Sequence, residues 1–136
     1  MKYYAVFDTN VLVSSLLTRN KDSATALVVD EISSGNIIPL YNDDIIAEYE
    51  EVLHRKKFPF AEASIQNIMK MIRYFGLYVF PSPTGEILPD MDDLIFYEVV
   101  MEKQEDNAYL ITGNIKHFPE RRFIVTPAEM MHILRQ

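Results

Sequence analysis

A three-layer α/β/α domain, with helices on both sides of a central, parallel, Rossmann-like sheet of about five strands, follows from two features of the sequence. Short, continuously apolar runs alternate with longer segments whose apolar residues recur every three to four positions. The spacing between runs also leaves room for a helical crossover, which a buried parallel sheet requires. No internal repeat, low-complexity tract or linker interrupts the alternation, so residues 1–136 read as one domain.

The strands expected are Tyr3–Phe7, Ile37–Leu40, Leu77–Phe80, Ala108–Ile111 and Phe123–Val125. Between and after them the periodicity predicts helices over Asn10–Leu17, Ser23–Ser33, Asp43–Arg55, Ala61–Tyr74, Asp93–Lys103 and Ala128–Leu134. Asn10 and Asp43 suit the N-caps of the first and third helices, and Thr126 before Pro127 places a capping residue ahead of a proline in the first turn. Pro81–Pro89, with three prolines and Gly85, reads as a loop. In the fourth helical segment the stripe Ile65, Ile68, Met69, Ile72 and Phe75 reads as core or as a partner surface.

Composition narrows the function classes. Forty-nine per cent hydrophobic and 24% charged residues describe a globular chain, and no apolar run approaches the roughly 20 residues that span a bilayer. The amino terminus meets its first carboxylate too early for a signal-peptide core, and there is no cysteine to form disulfides, so a cytoplasmic location is expected. A net charge of −7 argues against broad attraction to nucleic acid. Any such contact must be local or bridged by metal.

The acids carry the chemistry. Asp8 follows the first strand, where open α/β sheets place their ligands, and burying a charge there costs several kcal/mol unless something pairs with it. Glu48 lies in the third helix, Asp90, Asp92 and Asp93 stand at the entrance to the fifth, and Asn114 follows the fourth strand. A parallel sheet brings strand ends and the amino termini of the following helices to one edge, so these groups can converge. Clustered carboxylates raise one another's pKa unless cations neutralise them, and oxygen ligands suit Mg²⁺ or Mn²⁺.

Each residue also has an ordinary structural use. Asp8 can cap a helix, Glu48 can belong to a solvated acidic face, and Asp90, Asp92 and Asp93 can complement a helix dipole. Thr112-Gly113-Asn114 can be a plain strand-to-helix turn, and Arg55–Lys57 a solvated helix end. His54, His117 and His132 share no ligand spacing and read as surface residues.

DTNVLVSSLL at 8–17, AEYEEVLHRKKF at 47–58, DMDDLIFYEVVM at 90–101, AYLITGNIKHFP at 108–119 and IVTPAEMM at 124–131 together resemble the PIN domain family. The nearest resemblance is to its branch of toxin components of toxin–antitoxin systems. It covers nearly the whole chain in order. The resemblance implies a PIN fold and a Mg²⁺- or Mn²⁺-dependent ribonuclease whose catalytic acids are Asp8, Glu48 and Asp93, with Asn114 as a further metal ligand. Thr9, Asn10, Asp90 and Thr112 would support the ligands, while Arg55, Lys56, Lys57 and Lys116 would grip RNA phosphates. It further implies a homodimer and a small antitoxin protein as partner. Asn114 stands where most members carry the Asp of a T-x-D motif. An Asn keeps an oxygen donor but brings no charge and accepts no proton, so a catalytically weakened PIN domain acting as an RNA- or protein-binding module is the alternative. Haloacid dehalogenase-type phosphatases and receiver domains fit poorly, because Asp8-Thr9-Asn10 lacks the Asp-x-Asp of the first and Phe80-Pro81-Ser82 lacks the phosphoacceptor of the second.

Overall fold

The computed structural model describes residues 2–136. Five strands, β1 (Tyr3–Phe7), β2 (Ile37–Tyr41), β3 (Leu77–Tyr78), β4 (Tyr109–Ile111) and β5 (Ile124–Val125), form one sheet in the order β3-β2-β1-β4-β5, parallel throughout. The helices are α1 (Thr9–Leu17), α2 (Ala24–Ser33), α3 (Asp43–Leu53), α4 (Glu62–Phe75), α5 (Leu94–Glu102) and α6 (Pro127–Leu134). Among the described residues no helix is long and apolar enough to cross a membrane.

The layers follow from the burial of β1. Ala5, Val6 and Phe7 are all at most 1% exposed although successive side chains point to opposite faces, so both faces of the sheet are covered. Helix α5 packs on β1, β2 and β4, while α2 packs on β2 with α1, α4 and α6 around it. The stripe of α4 is mostly core: Ile65, Ile68, Met69 and Ile72 are buried and Phe75 is partly exposed.

The sequence expectations fail mainly at element ends. β3 is two residues long instead of four. Val79 still donates its N–H to the Tyr41 carbonyl, and then the chain leaves the sheet toward Pro81 with Phe80 exposed. That is a common way to keep an edge strand from templating further pairing. Asp8, not Asn10, occupies the N-cap of α1 and makes no cap bond with its side chain, while Asn42, not Asp43, caps α3 by accepting from the Ile45 N–H. The fifth helix starts at Leu94, after a 3₁₀ turn over Met91–Asp93. The expected cap of α6 is present as a capping box: Thr126 Oγ1 accepts from the Glu129 N–H, and Glu129 accepts from the Thr126 N–H.

Gly76 joins α4 to β3 where no side chain fits. A Cβ there would stand 2.2 Å from the Ile72 carbonyl oxygen and 2.6 Å from that of Pro39, both backbone atoms. Gly76→Ala should therefore lower the unfolding free energy by about 1–3 kcal/mol, the usual cost of overpacking, read as a reduced urea midpoint at unchanged slope.

Candidate active site

The strand order reverses direction at β1, whose neighbours are β2 on one side and β4 on the other. The crevice beyond the carboxyl ends of β1 and β4 is where this topology leaves room for a ligand. Asp8 follows β1 directly and Thr112 follows β4. The Asp8 N–H extends the parallel ladder by donating to the Ile111 carbonyl at 2.9 Å, and Thr112 Oγ1 donates to Asp8 Oδ2 at 2.7 Å. The Asn114 N–H donates in turn to Thr112 Oγ1 at 2.9 Å, leaving the hydroxyl proton free for the carboxylate. Asp8 is 5% exposed, and burial pushes its pKa up. The Thr112 bond and the nearby N–H groups of Asn10 and Thr9 oppose that shift without cancelling it.

Glu48 is held from two directions. Thr9 Oγ1 donates to Glu48 Oε2 at 3.1 Å. The next residue, Tyr49, is fully buried and donates its hydroxyl to the Phe7 carbonyl, tying α3 to the end of β1. Its ring stacks on Phe96 of α5, with centroids 6.1 Å apart. Burial raises the Glu48 pKa more strongly than the Thr9 bond lowers it.

Asp93 completes the group of three acids. It closes the 3₁₀ turn that Asp90 caps, Asp90 Oδ1 accepting from the Asp92 N–H at 2.9 Å. Asp93 Oδ2 is buried and, among the described residues, has no hydrogen-bond donor. His117 Nδ1 lies 3.3 Å away without the alignment of a hydrogen bond. Burial, then the charges of Asp8 and Asp90, raise the Asp93 pKa to about 6.

Asp8, Glu48 and Asp93 line one cleft of about 330 Å³, together with Thr9, Asn10, Asp90 and Asp92. Among the described residues no three His, Asp or Glu side chains are grouped closely enough to hold a metal ion directly. Mg²⁺ does not need such a cage, because it binds through one or two carboxylates and keeps several waters. An all-oxygen donor set, carboxylates pushed toward protonation and a buried anionic oxygen without a donor fit a hard, hydrated divalent cation.

Residues 4–116 match the PIN domain family. The chain belongs to this family. PIN domains are generally nucleases and usually bind Mg²⁺ or Mn²⁺. The match begins in β1 and ends at Lys116, so β5 and α6 lie beyond it. No curated protein matches the sequence. Among solved structures the chain is similar to the crystal structure of PAE2754 from Pyrobaculum aerophilum, with a TM-score of 0.58 and 13% identity over 98% of this chain and 90% of that one. At that identity the likeness concerns the fold.

In this PIN domain Asn114 stands apart from the acids. It is exposed and does not line their cleft; its backbone serves the site through the bond to Thr112. Gly113, Asn114, Lys116 and His117 surround a neighbouring concavity. Asn10 Oδ1 reaches the Gly113 N–H at 3.5 Å, a long contact that links α1 to the same loop. Arg55 lines the cleft while paired with Glu51 at 2.9 Å, and Lys56 and Lys57 are exposed beside it.

His117, expected at the surface, is partly exposed there and lies 3.3 Å from Asp93. Two residues at the site escape the sequence reading: Tyr49, which binds the Phe7 carbonyl, and Phe58, in the turn after α3, which lines the cleft. Their only sequence signal is a place close to Glu48 and Arg55. His54, by contrast, is a surface residue as expected, 2.6 Å from Glu62.

The Asp93 shift has a measurable sign. A carboxyl whose pKa is raised from 3.8 to about 6 on folding is a penalty at neutral pH, and the penalty is relieved as pH falls through 6. In EDTA, the stability of the wild type relative to Asp93→Asn should therefore rise between pH 7.5 and pH 5. Urea titrations at both pH values check this; an unchanged difference between the two proteins would contradict it.

Proposed function

We propose that this PIN domain is a metal-dependent endoribonuclease that hydrolyses RNA phosphodiesters, acting in the cytoplasm as the toxin of a toxin–antitoxin pair. The observation that carries the enzymatic reading is the buried Asp93 oxygen without a donor, in the cleft shared with Asp8 and Glu48. Asp8 and Asp93 would hold Mg²⁺ or Mn²⁺, with Glu48 reaching it directly or through water, and Asn114, whose side chain lies outside the cleft lining, would serve through its backbone bond to Thr112. The chemistry such an ion supplies when bound is acidified water and charge neutralisation at the phosphate.

The chain's own residues do the rest. Thr112 and Thr9 keep Asp8 and Glu48 from reorienting, which lowers the reorganisation needed on binding. Glu48, its proton affinity raised by burial, accepts a proton from the attacking water. Arg55, Lys56, Lys57 and Lys116 hold RNA phosphates at the rim, the local contact that a chain of net charge −7 needs.

The toxin role and a homodimer rest on the family resemblance and on an exposed apolar edge. Tyr74 and Phe80 are 81% and 80% exposed, and Phe75 and Leu77 accompany them along α4 and β3. A small antitoxin or a second copy would cover this surface. One observation favours the alternative of a weakened domain kept for RNA or protein binding: Asn114 brings no charge and lies outside the cleft lining.

Calorimetric titration with Mn²⁺ separates the two. The wild type should bind Mn²⁺ and cut a mixed-sequence single-stranded RNA, and Asp8→Asn should lose binding and lower cleavage by about 10²-fold or more. Thr112→Val should weaken the ion by about 10-fold to 100-fold while leaving the protein folded. No binding at millimolar Mn²⁺ with intact RNA would sink the nuclease reading and leave the binding module.

A further inference from the structure

We propose that Phe58 is a stacking platform for an unpaired nucleobase of the RNA, set beside the carboxylates. The proposal rests on the ribonuclease reading. Phe58 lines the same cleft as Asp8, Glu48 and Asp93. The turn that places it follows directly on the helix carrying Glu48: the Arg55 N–H donates to the Val52 carbonyl at 3.1 Å, and the Phe58 N–H to the Arg55 carbonyl at 3.0 Å.

Phe58 stacks on Phe60, with centroids 5.1 Å apart and planes 11° from parallel. Both rings are partly buried, but only Phe60 packs against the main core; Phe58 lies on the cleft side of the pair. The exposed Lys57 ammonium lies 5.2 Å from the Phe58 centroid, a contact of modest strength that a flexible side chain can give up. A base arriving at the ring would release that ammonium toward the adjoining phosphate.

Charge favours such a platform beside the basic residues at the rim. The cleft wall contributes Asp90 and Asp92 besides the three ligand candidates, the chain as a whole carries −7, and Arg55 is already engaged by Glu51. Phosphate contacts alone give this surface a poor hold on a polyanion. Stacking on an aromatic ring does not depend on net charge and accepts any base, because every base has a π face.

Steady-state cleavage of a short single-stranded oligonucleotide with Mn²⁺ tests this on the full-length protein. Phe58→Leu, which keeps the apolar volume, should raise KM about 10-fold with kcat nearly unchanged, and Phe58→Tyr should restore the wild-type KM. A 2-aminopurine at the stacked position should be quenched by the wild type and by Phe58→Tyr but not by Phe58→Leu. A scan of single abasic positions against the wild type needs no variant and should raise KM at one position near the cut. A wild-type KM for Phe58→Leu, or an abasic scan without effect, would overturn the platform while the nuclease reading stands. A wild type that neither binds Mn²⁺ nor cuts any RNA would overturn both.

Discussion

The hydrogen bond from Thr112 to Asp8 joins residues 104 positions apart at the carboxyl ends of two neighbouring strands, and it is the contact on which the site is built. A carboxylate at 5% exposure has lost most of its water and needs a fixed donor in exchange. Thr112 can be that donor because the Asn114 N–H occupies its acceptor side, and Asn114 is in place because the loop after β4 turns into a 3₁₀ segment over Ile115–His117. The parallel pairing of Phe7 with Ile111 thus sets the position of the first acid to within a hydrogen bond's tolerance.

The other two acids reach the cleft by different means. Glu48 is aligned through its neighbour, since Tyr49 binds the last carbonyl of β1 and stacks on α5. Asp93 arrives at the end of a capped turn and keeps a buried oxygen without a donor. One acid is satisfied by hydrogen bonding, one is shared with Thr9, and one is left to electrostatics. Burial raises the pKa of all three, that of Asp93 to about 6, and an added cation would relieve each of them. The same negative field that attracts a divalent ion repels a polynucleotide, so substrate affinity has to come from groups that ignore net charge or lie at the rim.

Periodicity and strand ends carry most of the legible information. The alternation of apolar runs with amphipathic segments gives the element order and the parallel sheet, and the rule that such sheets place ligands at strand ends singles out Asp8 before any neighbour is known. Errors fall where local preference and tertiary demand compete. Asp8 takes the N-cap position but spends its carboxylate on Thr112, and a cap inferred from Asn10 is one step too late. Asp43 loses its expected cap to Asn42, whose amide oxygen reaches the Ile45 N–H. The third strand is cut to two residues because an edge strand has one neighbour to hold it against the pull of Pro81 and Pro83.

The linear order of residues settles the fold class, nominates the acids and sets the acidic charge that argues against a broad nucleic-acid surface, because periodicity, residue type and net charge are all properties of a string. Which side chains share a cleft is a property of distances between segments, and those arise when the sheet closes. Asp93 meets His117, Thr9 meets Glu48 and Tyr49 meets Phe7 across gaps of 24, 39 and 42 positions. No local pattern marks them. Asn114 shows the same divide from the other side: its place after β4 suggests a ligand, and folding puts its backbone to work and leaves its side chain outside the cleft lining.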